Sequence, residues 1–329
     1  MLFMTCALIG YGSWATAIAG LITANGNELN WYIRNDEVRE GLACDGHNPK
    51  YLSELEFDRS LIHPLADVNE AVRDVSVVFI SVPSAFLKTF LAPLREPLAD
   101  KVIVSAIKGI VPDECKTISE YLHDSCGISF SHICMIAGPS HAEEVSMGKL
   151  SYLTTVCSNE ENASTVRSLI ASRSIITSYS ADLYGAEYAA VLKNIYAIAA
   201  GLSDGLGYGD NFKAMLVSKC AREMTRFIEE TYPFDRDTLE PAYLGDLLVT
   251  SYSSFSRNRR LGQIIGRGVT VESALNEMTM IAEGYYAVDC MHKLNEIHGV
   301  NMPILNVVYD ILYRSAPARR KFKELAKIL

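Results

Sequence analysis

Apolar residues dominate the first part of the chain, and the first charged residue is Glu28. Gly10, Gly12, Ser13, Thr16, Gly20 and Thr23 interrupt that run, and no Lys or Arg lies in it. The pattern suits neither a membrane span nor a secretory signal. It predicts a strand over Leu2–Ile9, a tight turn over Gly10–Ser13 and a helix over Trp14–Ala24. Further apolar runs predict strands over Leu29–Ile33, Val75–Val82, Lys101–Ile107, His132–Ala137 and Tyr152–Cys157. Helical periodicity falls over Ala85–Leu98, Asp113–Asp124, Ser140–Met147 and Glu160–Ala171. Strands alternating with helices imply an α/β, doubly wound, mostly parallel sheet. Beyond Ser180 the period is almost wholly helical, with breaks at Gly205–Gly209, Pro233–Gly245, Gly266–Gly268 and Gly299–Pro303.

The first turn reads Gly10-Tyr11-Gly12-Ser13-Trp14-Ala15, a G-x-G-x-x-A between an apolar strand and a helix. In a dinucleotide-binding turn the first glycine makes the bend and the second lets backbone approach a pyrophosphate. The third small residue lets helix and strand pack closely. The helix N-terminus adds N–H groups and a partial positive charge. The expected organisation is therefore a Rossmann-like dinucleotide-binding domain over residues 1–181 and an all-α substrate and catalytic domain over 182–329. The second strand ends at Arg34, where an NAD-selective site places a carboxylate for the ribose 2′-hydroxyl. An Arg attracts a 2′-phosphate instead. NADPH is favoured, with NADH tolerated; Asp36, two residues on, is still within reach of a ribose.

Composition narrows the partners. The 329 residues carry 30 Lys+Arg against 39 Asp+Glu, a net charge of −9. Such a chain is a poor non-specific binder of nucleic acid or anionic membrane, so an anionic ligand needs a local basic cluster. The 8 cysteines form no C-x-x-C pair. They are expected to be reduced thiols, and no metal site is expected.

Candidate chemistry concentrates in the helix over Asp182–Gly205. Tyr188, Val191, Leu192, Ile195, Ile198, Ala199 and Leu202 form a bulky stripe, and Ala190, Lys193, Ala197, Ala200 and Asp204 lie opposite. Small residues there admit a close neighbour, so Lys193 is expected to be buried or on a solvated alanine face. Burial would lower its pKa toward a value useful in proton transfer. Lys108, in Ser105-Ala106-Ile107-Lys108-Gly109, follows a strand end, where ligands of doubly wound sheets bind. Ser140 and Glu143 of Gly138-Pro139-Ser140-His141-Ala142-Glu143 suggest a capping box. Ser256-Arg257-Asn258-Arg259-Arg260 is a basic cluster matched to phosphate. Asp246 can be read as a helix cap or as a group orienting a lysine.

These segments resemble, in order and over nearly the whole chain, the bacterial NAD(P)-dependent glycerol-3-phosphate dehydrogenases. Besides the glycine turn, the resemblance rests on S-A-I-K-G at 105–109, G-P-S-H-A-E-E at 138–144 and L-K-N-I-Y-A-I-A-A-G at 192–201. G-D-L-L-V-T at 245–250, S-R-N-R-R-L-G at 256–262 and A-E-G at 282–284 complete it. It implies that Lys193 is the catalytic lysine, with Lys108 and Asp246 in the catalytic set. Lys108, Gly138, Ser140, Lys193, Asp246, Ser256, Arg257 and Asn258 match substrate positions. Gly10, Gly12, Ser13, Trp14, Arg34, Tyr51, Lys108, Ala142, Arg257, Ile281 and Glu283 match cofactor positions.

The implied reaction interconverts dihydroxyacetone phosphate and sn-glycerol 3-phosphate with NAD(P)H, feeding phospholipid synthesis in a cytoplasmic homodimer. The family usually has Gly where Ala15 stands, Thr where Ile107 stands and an aromatic where His141 stands. Two other readings are a related two-domain dehydrogenase of 2-hydroxy or 2-keto acids, and a catalytically silent NADPH-binding sensor.

Overall fold

The computed structural model describes residues 4–278 and 280–329. Leu2 and Phe3 of the first expected strand lie outside them. The chain divides into two compact units. One holds the chain up to Ile107 together with Ile118–Leu183; the other holds Lys108–Thr117 with Tyr184–Leu329.

The first unit is a single eight-stranded sheet. Its elements in order are β1 (Thr5–Ile9), α1 (Ser13–Ala24), β2 (Glu28–Tyr32), α2 (Asp36–Asp45), β3 (Ile62–Leu65), α3 (Val68–Val72), β4 (Val77–Ile80) and α4 (Leu87–Leu91). Then come β5 (Val102–Ser105), α5 (Ile118–Cys126), β6 (Ile133–Ala137), α6 (Ala142–Ser146), β7 (Ser151–Val156), α7 (Glu160–Ile170) and β8 (Ile175–Ser180). The strand order is β3-β2-β1-β4-β5-β6-β7-β8. Every pairing is parallel except β6 with β7. The order reverses between β1 and β4, and ligands of such sheets bind outside the strand carboxyl ends at that point.

The central strands are continuous apolar runs because both their faces are buried; Cys6, Ala7, Leu8 and Ile9 have no exposed surface. The unexpected strands β3 and β8 are the two sheet edges. Half-exposed edges carry weak apolar signals, and Pro64 is tolerated in β3 because it lies there. The helix expected over Ala85–Leu98 is a short turn at Ser84–Phe86 followed by α4, and Pro93 and Pro97 cannot continue it. The helix expected from Asp113 begins at Ile118. Its anticipated first turn is instead a closed loop, with Val111 N–H donating to Lys116 O at 2.9 Å.

The second unit is helical: α8 (Leu183–Gly205), α9 (Asp210–Thr231), α10 (Asp246–Tyr252), α11 (Arg257–Gly266), α12 (Val271–Glu277), α13 (Glu283–His298), α14 (Pro303–Tyr313) and α15 (Ala318–Leu325). α8 is buried on both sides, and α11 packs against it at Gly201 and Gly205. A Cβ on Gly201 would lie 1.9 Å from Arg259 O, and one on Gly262 would lie 2.2 Å from Ile198 O. Only glycine permits that approach of the two helices.

Glu223 of α9 is a buried carboxylate with a structural task. It accepts from the N–H groups of Ile304 and Leu305 at 2.8 and 2.9 Å and from Tyr196 Oη at 3.3 Å. It thus satisfies the first turn of α14, whose N–H groups have no acceptor within the helix. Among the described residues no helix is long and apolar enough to cross a membrane.

Candidate active site

The sheet unit presents the glycine turn at the carboxyl end of β1. Gly10 has φ +116°, and a Cβ there would lie 2.1 Å from Ser81 O. Trp31 Nε1 donates to Gly10 O at 2.6 Å, and Asn48 Nδ2 donates to Tyr11 O at 3.1 Å and to Thr16 Oγ1 at 2.8 Å. The turn is therefore held from two sides by residues that the motif does not contain. A Cβ on Gly12 would meet nothing within 4 Å, so open space lies at the start of α1. Ala15 is fully buried, as the third small position requires. A pyrophosphate fits this arrangement: space at Gly12, and the first-turn N–H groups of α1 at Ser13 and Trp14. Tyr51 stands beside Tyr11, with ring centroids 6.5 Å apart. Arg34 is exposed just beyond β2.

Gly138, Ser140 and Ala142 form the turn from β6 into α6. The capping box is not made. His141 occupies the N-cap position without a side-chain cap bond, and Ser140 Oγ donates to Gly138 O at 3.1 Å. The helix starts two residues later than expected, so Ser140 belongs to the turn.

In the helical unit one carboxylate joins two lysines. Asp246 Oδ1 accepts from Lys193 Nζ at 2.5 Å, and Oδ2 accepts from Lys108 Nζ at 3.1 Å. Lys193 and Asp246 are 4% and 1% exposed, which decides the open question about Lys193: it is a buried lysine. The structure also decides between the two readings of Asp246. A π-helical turn at Pro241–Gly245 leads directly into α10, the N-cap is Gly245, and the Asp246 side chain faces the lysines. Thr250, one turn further along α10, receives a bond from Lys193 Nζ at 3.3 Å and donates to Asp246 O at 2.6 Å.

Burial lowers the Lys193 pKa to about 7; Asp246 opposes that shift and the Lys108 charge adds to it. Burial also works against the Asp246 carboxylate, but Lys108 and Lys193 outweigh it and hold its pKa below the usual range. With Lys193 protonated, two cations surround one anion and leave a local excess of positive charge, suited to a developing oxyanion.

A second network frames this trio. Asn194 Nδ2 donates to Lys108 O at 2.7 Å, and Asn194 Oδ1 accepts from Asn258 Nδ2 at 2.8 Å. Asn258 Oδ1 in turn accepts from Gly284 N–H at 2.9 Å. Ser256 caps α11 by accepting from Arg259 N–H at 3.2 Å. Arg257 is exposed and donates to Ile281 O at 3.3 Å; Glu283 opens α13.

The basic cluster is not all available to a ligand. Arg259 pairs with Asp204 at 2.7 Å, where Lys213 also binds at 3.0 Å. Asp204 is thus the anchor of α9 and α11 to α8. Lys108, Lys193, Asp246, Ser256, Arg257, Asn258, Ile281 and Glu283 fall in the helical unit, and Gly138, Ser140 and the remaining cofactor candidates fall in the sheet unit. Sequence reading missed Asn194 and Thr250. Their signals were a polar residue inside an apolar stripe and an i, i+4 spacing from Asp246.

Comparison with known proteins gives concordant matches. The family profile described as the NAD-dependent glycerol-3-phosphate dehydrogenase N-terminus matches residues 5–163, and that described as its C-terminus matches 182–323. The chain is 34% identical to a Chlorobium limicola protein named glycerol-3-phosphate dehydrogenase [NAD(P)+], covering 98% of this chain and 97% of that one. It is 36% identical to a Salinibacter ruber protein of the same name, covering 94% and 90%. Its fold matches the crystal structure of a Coxiella burnetii glycerol-3-phosphate dehydrogenase with a TM-score of 0.89 and 28% identity, over 98% of this chain and 99% of that one.

Proposed function

The chain belongs to the NAD-dependent glycerol-3-phosphate dehydrogenase family, and from that premise we propose that it reduces dihydroxyacetone phosphate to sn-glycerol 3-phosphate, and catalyses the reverse oxidation. The observation that carries the reading is the buried Asp246 carboxylate shared by Lys193 and Lys108. When bound, the nicotinamide supplies the hydride that adds to the substrate's C2 carbonyl carbon.

The remaining work falls to this chain's residues. Negative charge grows on the carbonyl oxygen, and the Lys193 ammonium donates a proton to it. In the oxidation the neutral Lys193 amine accepts that proton. Asp246 and Thr250 hold Nζ in one place, so little reorganisation accompanies the transfer. Lys108 brings a second positive charge to the oxygen or to a substrate hydroxyl. Arg257 and Asn258 at the start of α11, with Ser256, hold the phosphate; binding energy from that remote group orients the carbonyl. Gly138 and Ser140 are further substrate positions that the family resemblance implies.

Ser13, Trp14 and the glycines hold the pyrophosphate. Tyr51, Ala142, Ile281 and Glu283 add cofactor contacts, and Lys108 and Arg257 face both ligands. Arg34 favours NADPH over NADH. The product feeds glycerophospholipid synthesis, in the cytoplasm, from a homodimer. Ser256, Arg257 and Asn258 favour a phosphate over a carboxylate substrate, and Lys193, Lys108 and Asp246 standing together argue against a silent sensor.

The test is the nicotinamide absorbance with dihydroxyacetone phosphate and, separately, a panel of 2-keto acids, each with NADPH and NADH. Loss of absorbance with dihydroxyacetone phosphate alone is expected. Turnover of a keto acid in its place, or of neither, contradicts the assignment.

A further inference from the structure

Arg34 is exposed, yet it is not loose. Its guanidinium carbon stands 4.9 Å from the centroid of the Phe90 ring, inside the ~6 Å range of a cation–π contact. The ring is itself fixed: Phe90 is 7% exposed and packs against Tyr11 of the glycine turn and Tyr32 of β2, with centroids 6.2 and 6.1 Å away.

The carboxylates that follow Arg34 are engaged elsewhere. Asp36 is paired with Arg39 at 2.5 Å and Glu37 with Lys50 at 2.7 Å. Arg39 is in turn held at the strand end by Ile33 O, 3.1 Å from Nη1. Among the described residues no carboxylate pairs with Arg34. Its charge therefore rests on an apolar support and is not neutralised.

This arrangement removes two costs of capturing an anion. A guanidinium already paired with Asp36 would have to give up that partner. An unsupported Arg side chain would lose rotamer freedom on binding. Stacked on Phe90, Arg34 keeps its other face and its N–H edge for a ligand, and that edge matches phosphate bidentately.

We propose that Phe90 is the positioning residue for cofactor choice, holding Arg34 stacked and un-neutralised so that it selects an adenosine carrying a 2′-phosphate. The inference rests on the reading that Arg34 faces the cofactor ribose. It adds that the selectivity depends on a side chain outside the nucleotide fingerprint.

The test is calorimetric titration of the whole protein with adenosine 2′,5′-bisphosphate and with AMP, which need no turnover. Phe90→Leu weakens the bisphosphate by roughly two- to fivefold, the size of an exposed cation–π contact, and leaves AMP unchanged. Phe90→Tyr, which keeps the ring, retains the wild-type ratio. Arg34→Ala lowers bisphosphate affinity by about tenfold or more. Phe90→Met repeats the Leu experiment with a different packing volume if Phe90→Leu does not fold.

Equal weakening of both ligands in Phe90→Leu would make the ring merely structural and overturn the proposal. An unchanged ratio in Phe90→Leu beside a collapsed one in Arg34→Ala overturns it too, while leaving Arg34's role intact. An unchanged ratio in Arg34→Ala refutes the reading of Arg34 on which the proposal stands.

Discussion

Asn194 Oδ1 accepts from Asn258 Nδ2 at 2.8 Å, while Asn194 Nδ2 donates to the Lys108 carbonyl at 2.7 Å. One amide beside Lys193 therefore fixes both the segment that carries the second lysine and the start of α11.

Asn194→Leu keeps the shape and removes both bonds. It leaves buried Asn258 Nδ2 without this acceptor, at about 1–3 kcal/mol, and removes one bond to Lys108 O. The expected result is a fall in kcat/KM for dihydroxyacetone phosphate of roughly 10- to 100-fold, with a lower Tm and a smaller loss of NADPH affinity, since Lys108 and Arg257 also face the cofactor. Steady-state kinetics beside cofactor titration check this. A kcat/KM within about twofold of wild type contradicts the positioning role.

Activity should follow the protonation of Lys193. Its pKa is lowered to about 7 by burial, with Lys108 assisting and Asp246 opposing. Reduction needs the ammonium, so its rate is present below that pH and falls as pH rises through it. Oxidation needs the neutral amine and shows the opposite profile. Lys108→Met removes a neighbouring like charge, so the Lys193 pKa rises and both breaks move to higher pH. Profiles of kcat/KM in the two directions provide the check; identical breaks in wild type and Lys108→Met refute the coupling.

Much of this was legible in the sequence, and for identifiable reasons. β1, β4, β5 and β6 are buried on both faces, so their apolar runs announce them, and the glycine turn between β1 and α1 is a local pattern. Lys193 stood out because it interrupts a run of small residues on α8. The edge strands β3 and β8 were not legible, because half-exposed residues carry little apolar signal. Nor was the sharing of Asp246 by two lysines. Lys108 is 138 positions and Lys193 53 positions away from it in sequence, and no spacing rule joins such residues. The Ser140 capping box failed because local side-chain spacing was satisfied while the backbone began its helix later.

Glu223 makes stability depend on pH. Burial raises its pKa from 4.5 to about 7, against the pull of the Ile304 and Leu305 N–H groups, Tyr196 and Arg226. The folded protein thus holds this proton more tightly than the unfolded chain. Its contribution to stability is full below about 4.5 and is lost as pH rises through about 7. Glu223→Gln cannot titrate. The stability difference between wild type and this variant should shift against wild type across that window, read from urea midpoints at several pH values. A constant difference contradicts the assignment.

The central claim is that Lys193 moves the proton, and Lys193→Met tests it most directly. Methionine keeps the length and apolar stem of the side chain and carries no proton. General acid–base catalysis contributes about 10²–10⁴-fold, so kcat for dihydroxyacetone phosphate reduction should fall by about that factor, while NADPH affinity stays near wild type. A correctly folded Lys193→Met enzyme that retains more than about a tenth of wild-type kcat would show that the proton comes from elsewhere.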